Sequence, residues 1–146
     1  MKMKSIKEQI IGTWKFVSWV YTNEKNETVH YFEEGSEGVL MYDEAGNMNA
    51  QIMRPGRSTF KSGAIAGGTK EETKEAFDSY LAYFGKYYET EPGKIIHKVE
   101  GALFPNWLGN EQIRYGEIVD DKLIIKTQPI SAPYGEIVFT VTWKRK

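Results

Sequence analysis

His97 and Arg114 are the residues best suited to chemistry in this chain, and they flank an apolar segment, Phe104-Pro105-Asn106-Trp107, where a loop would ordinarily be polar. An imidazole and a guanidinium on adjoining strands could supply a base and an oxyanion partner, or could anchor a ligand carboxylate or enolate. Strand alternation places His97 on one face with Ile95 and Val99, and Arg114 with Gln112, Gly116 and Ile118. Tyr83 and Tyr87 share a further face, and Gln51 and Asn106 lie within reach as hydrogen-bonding groups, with Trp107 as a stacking surface. For each the structural alternative stands beside the functional one. His97 can be an imidazole tied to a backbone carbonyl, and Arg114 can pair with Glu100, Glu111 or Glu117. Phe104-Pro105-Asn106-Trp107 reads first as a sheet corner that buries two aromatics, and only second as a ligand mouth.

Other chemistries are excluded by composition. No cysteine is present, which removes disulfides, thiolate nucleophiles and Cys-zinc sites. The two histidines, His30 and His97, have no carboxylate at metal-site spacing, so neither a metal nor any cofactor is expected. No Gly-x-Ser-x-Gly occurs, and the segment 63–68 lacks the lysine of a phosphate loop. Nineteen basic residues balance twenty acidic ones without a basic block, which argues against nucleic acid. The N-terminal lysines precede no apolar run long enough for a secretion signal, and no later stretch would span a membrane. A cytoplasmic protein is expected, with its oligomeric state open.

The elements that must hold these residues are strands. Aromatic residues make up 14% of the 146 positions, and such enrichment favours sheet. Ser5 can cap a short helical turn that stops at Gly12, after which 13–22 has period two with large apolar groups on both faces. Further strands are expected at 28–32, 39–43, 48–54, 83–90, 94–100, 112–119, 122–127 and 136–144. Thr69 and Glu72 form a capping box for one helix over 70–81, packing through Thr73, Ala76, Phe77, Tyr80 and Leu81. The glycine-rich segment 55–68 is long enough to be a lid. One domain, residues 1–146, is expected: an all-β, up-and-down antiparallel β-barrel of about eight to ten strands with a short N-terminal helical turn and one inserted helix.

Gly12-Thr13-Trp14 at the start of the first strand is similar to the Gly-x-Trp signature of lipocalins and other calycins. With Gly38-Val39-Leu40-Met41-Tyr42, Gly46-Asn47-Met48-Asn49-Ala50-Gln51, His97-Lys98-Val99-Glu100, Phe104-Pro105-Asn106-Trp107-Leu108-Gly109, Gln112-Ile113-Arg114 and Trp143-Lys144-Arg145, it resembles the bacterial and fungal lipocalin-like domain family over nearly the whole chain. The resemblance implies a calycin-type barrel in which Gly12, Trp14 and Arg145 close one end, the arginine, or Lys144 on a one-residue shift of register, lying over the tryptophan. It implies no catalytic residue set. Two functions follow from the barrel. One is binding of a small hydrophobic or aromatic molecule, including an anionic one. The other is cofactor-independent isomerase, cyclase or dehydratase chemistry. Haem held through His97 is a third reading.

Overall fold

The computed structural model describes residues 5–146; Lys2 and Lys4, weighed above against a secretion signal, lie outside the described residues. Eleven strands are formed: β1 (Gly12–Thr22), β2 (Thr28–Phe32), β3 (Glu37–Tyr42), β4 (Asn47–Met53), β5 (Tyr80–Glu91), β6 (Lys94–Ala102), β7 (Glu111–Val119), β8 (Lys122–Thr127), β9 (Ile130–Ala132), β10 (Gly135–Ile137) and β11 (Thr140–Arg145). The main sheet runs β11-β8-β7-β6-β5-β4-β3-β1-β2, and β11 also pairs with β1. Eight strands thereby close into an antiparallel barrel, which leaves no long edge within the ring. β2 adds to β1 outside the ring, and β9 with β10 forms a separate two-stranded ribbon. The single strand expected at 136–144 is therefore two short pieces, because Val138 and Phe139 break the ladder between them. Among the described residues no helix is long and apolar enough to cross a membrane.

One end of the barrel is closed by a small set of interactions. Gly12 has φ of +125°, and a Cβ there would sit 3.2 Å from the Arg145 guanidinium. Only glycine therefore meets both the backbone angle and the space. Trp14 is 1% exposed, donates from Nε1 to the Ile10 carbonyl at 2.8 Å, and is paired in register with Arg145. The Arg145 guanidinium lies 4.0 Å from the Trp14 ring and donates to the Ile11 and Gln9 carbonyls at 2.8 and 2.6 Å. The N-terminal turn is capped differently from expectation. The Glu89 carboxylate accepts from the Ile6 and Lys7 amides, and Ser5 donates its hydroxyl to the same group at 2.6 Å.

One local expectation is corrected. The helix α1 (Lys70–Asp78) stops short of Leu81, with Tyr80 and Leu81 opening β5, and none of its residues is buried. Its capping box is present, Thr69 and Glu72 exchanging bonds of 2.9 and 3.1 Å, but the aromatic residues after Ser79 (Tyr80, Tyr83, Phe84) favour the sheet. Residues 18–21 of strand β1 are half-buried on both faces, in keeping with apolar groups on both faces over part of its length. A bulge between Phe16 and Ser18 shifts the register, so Val17 is 47% exposed while Trp19 packs against the core. Arg57 is exposed, donates to Ser79 Oγ and the Ala76 carbonyl, and ties the 55–68 segment to the end of α1.

Replacing Arg145 by Ala should lower stability by about 2 kcal/mol, since it removes a cation-π contact and two hydrogen bonds to carbonyls. Urea denaturation checks this, and Arg145→Lys should recover part of the loss. A loss under about 0.5 kcal/mol would mean that closure rests on the β1–β11 ladder alone.

Candidate functional site

Inward-facing positions of β3, β5 and β6 bring Tyr42, Tyr83 and His97 together deep in the barrel. His97 is 2% exposed and both of its ring nitrogens are engaged: Nε2 lies 2.7 Å from the Tyr42 hydroxyl and Nδ1 lies 2.8 Å from the Tyr83 hydroxyl. The structural alternative of a backbone carbonyl partner is thus replaced by two phenols. Burial, with the Arg114 guanidinium as a second cause, pushes the imidazole down to about 3, so it is neutral at physiological pH. Burial also raises the Tyr42 hydroxyl well above its ordinary value and raises Tyr83, Arg114 opposing the shift in both.

A neutral imidazole has one N–H and one acceptor nitrogen, which orders the protons of the cluster. If Tyr42 donates to Nε2, the imidazole donates from Nδ1 to the Tyr83 oxygen, and the Tyr83 O–H is left to point elsewhere. The opposite tautomer would strand the Tyr42 O–H in the fully buried floor of the barrel, where it has no second partner. An unsatisfied buried donor costs about 1–3 kcal/mol, so the first arrangement wins. Tyr83, which lines a cavity above His97, then offers its proton to that cavity.

The cavity has a volume of about 40 Å³ and is lined by Leu40, Ala50, Ile52, Ile125, Val141 and Trp143, together with Trp19, Leu81, Tyr83, His97, Trp107, Arg114 and Thr127. That is room for one or two waters. Arg114 uses its guanidinium on the Ile113 carbonyl (2.9 Å) and the Gln112 side-chain oxygen (3.0 Å). It makes no ion pair among the described residues, the expected partners Glu100, Glu111 and Glu117 included. Glu111 instead accepts from the Tyr88 hydroxyl. Leu81 and Trp107 also line an outer groove of about 260 Å³ that runs past Phe32, Arg54 and Phe104. These two side chains form the partition between cavity and groove.

The remaining candidates divide by location. Trp107 ends the 3-10 turn Pro105–Trp107 and stands edge-on to Tyr83, ring centres 5.6 Å apart, so the corner also supplies a cavity wall. Phe104 of that corner stays 43% exposed. Asn106 is exposed on the turn and faces no cavity residue. Gln51 points outward by alternation and binds the Tyr80 hydroxyl on the outer surface. Tyr87 is buried but lies toward the opposite end, where its hydroxyl donates to the Asp43 carbonyl at 2.6 Å. None of the 55–68 segment lines the cavity. The residues that sequence reasoning missed are Tyr42 and Trp19. Alternation from Leu40 carried a signal for Tyr42, whereas the bulge in β1 hid Trp19.

A closed eight-stranded antiparallel barrel with a sealed end, an interior cavity and polar groups gathered at its floor is the architecture of a lipocalin-type binding barrel. The chain belongs to the lipocalin-like domain family, whose model matches residues 11–146. It is also similar to the 4'-hydroxy-3'-methoxypropiophenone carrier protein ppsC of Aspergillus oryzae, at 34% identity over 106 residues that span 67% of this chain and 96% of that protein.

The depressed His97 value sets a pH dependence. In the unfolded chain an imidazole titrates near ~6.5, so the contribution of neutral His97 is complete above that value and is lost as the pH falls toward 3. Stability should fall by about 1.4 kcal/mol per pH unit below pH 6 from this group alone. The difference between wild type and His97→Gln in urea midpoints measured from pH 7 to pH 4.5 isolates it. Parallel pH profiles for the two proteins would contradict a buried, neutral imidazole.

Proposed function

We propose that the barrel binds a small, largely aromatic or apolar molecule through an oxygen acceptor such as a ketone, phenolate or carboxylate, held between Arg114 and Tyr83. One observation carries this: a guanidinium lines a largely apolar cavity and pairs with no carboxylate among the described residues. A cation in such a place favours an anionic or strongly polar guest, because a structural ion pair would have been built with an acid. The relative's name supports the same chemistry, since a hydroxy-methoxypropiophenone is an aromatic ring carrying a ketone, a phenol and an ether. His97 orients Tyr83, and Trp107 walls the site. Absence of cysteine fits a reducing, cytoplasmic setting.

The cavity is too small for an aryl ketone while Leu81 and Trp107 stand as they do, since ligand sites usually run from about 300 Å³ upward. Binding therefore requires the partition to turn toward the outer groove, joining the two spaces. The catalytic reading is supported by the Tyr-His-Tyr cluster but opposed by its protonation. A base near 3 with both nitrogens occupied is poorly matched to proton abstraction at neutral pH. Haem fits less well, because neither His97 nitrogen is available to iron.

Titration of the purified protein with 4'-hydroxy-3'-methoxypropiophenone, followed by calorimetry and thermal melting, tests the reading. Wild type should bind and melt higher with ligand. Arg114→Met should lose at least tenfold in affinity while its unliganded stability stays equal or rises, as expected on removing an unpaired charge from an apolar site. No binding of this compound or of simple aromatic ketones and acids would sink the proposal. A large stability loss in the unliganded variant would assign Arg114 a structural role instead.

A further inference from the structure

The cavity has a second polar feature that the anchor at Arg114 leaves unexplained. Trp19 lines it, and the Trp19 Nε1 atom is buried without a hydrogen-bond acceptor among the described residues. The ring is held firmly, stacked on Phe32 at 5.2 Å with planes 6° apart and edge-on to Phe139 at 6.1 Å, so the N–H cannot swing to find a partner at low cost. A buried indole N–H ordinarily has an acceptor, and one left without costs about 1–3 kcal/mol.

The other polar groups of the lining are of the same kind. Tyr83 presents its O–H by the proton order derived above. The Thr127 hydroxyl oxygen already accepts from the Phe139 amide at 3.1 Å, which leaves its proton free. No carboxylate and no side-chain amide lines the cavity. The lining is rich in donors, and its acceptors are limited to the second lone pairs of the Tyr83 and Thr127 hydroxyls. Trp19 on β1 and Arg114 on β7 are separated by β11 and β8 along the shorter way round the ring, so these two residues line the cavity from well-separated strands.

Resting on the binding function proposed above, we infer that Trp19 is a second anchor that selects ligands bearing two oxygen acceptors, one met by Arg114 and Tyr83 and the other by the indole N–H across the bore. The ligand class is then an aromatic ketone or acid with a further phenolic or ether oxygen on its ring. Water can serve the indole when the site holds no ligand. A guest that displaces the water without replacing its oxygen loses that bond, and a guest with the oxygen keeps it. Selectivity between the two follows from the penalty on the unpaired donor.

The experiment compares two probes, 4'-hydroxy-3'-methoxypropiophenone and unsubstituted propiophenone, against wild type and Trp19→Phe by calorimetry. The expected result is about a tenfold loss of affinity for the oxygenated probe in the variant, with propiophenone changed less than about twofold. An equal loss for both probes makes Trp19 a wall only and overturns this inference while leaving the binding function standing. No loss for either overturns it as well. Failure of wild type to bind either probe overturns both the binding function and this inference. Should the variant not fold, ¹⁵N-resolved indole proton spectra of the wild type decide. The Trp19 N–H should shift downfield with the oxygenated probe and not with propiophenone, and identical responses to the two would overturn the assignment.

Discussion

A polar group enclosed by a β-barrel must find its partners among the side chains on the inner wall, and this constraint shapes the whole interior. His97 meets it with two phenols at 2.7 and 2.8 Å, and those bonds depend on three different strands, β3, β5 and β6, being in the register observed. A slip of one residue in any of them would turn a partner outward. The cluster therefore acts as a register lock as well as a polar floor. Its neutrality follows from burial, and its proton order follows from the one phenol that has nowhere else to donate.

The two ends of the barrel are built for opposite purposes. At one end Gly12, Trp14 and Arg145 interlock so that the backbone carbonyls of the N-terminal turn, an aromatic face and a guanidinium satisfy one another. Toward the cavity, polar groups are left with protons to give, and the partition of Leu81 and Trp107 is a pair of side chains with space on both sides. Arg145 and Arg114 show the contrast. The first is saturated by ring and carbonyls, whereas the second keeps donor capacity beside an apolar space.

Much of this was legible before any coordinates. Period-two patterning with turn residues at regular spacing pointed to consecutive antiparallel hairpins, and the need to cover edges pointed to closure. Gly12, Trp14 and Arg145 were readable through the resemblance to the Gly-x-Trp signature of calycins, and the structure brings them together. Alternation grouped His97 with Ile95 and Val99, and Arg114 with Gln112 and Gly116, without saying which face is inward. The same rule failed at Trp19, since a bulge adds a residue without leaving a local mark in 13–22, and the helical pattern of 70–81 ran on into residues that the sheet claims.

The sequence by itself determined the class of fold, because period-two strands joined by tight turns must close to cover their edges, and through its family resemblance it pointed to the sealed end. Only the tertiary structure decided that His97 is held by Tyr42 and Tyr83, that His97 and Arg114 line the cavity, that Arg114 pairs with no acid among the described residues, and that Gln51, Asn106 and Tyr87 lie away from the cavity. Those outcomes depend on which positions of distant strands come opposite one another, and register across a barrel is set jointly by bulges and by every ladder in the ring.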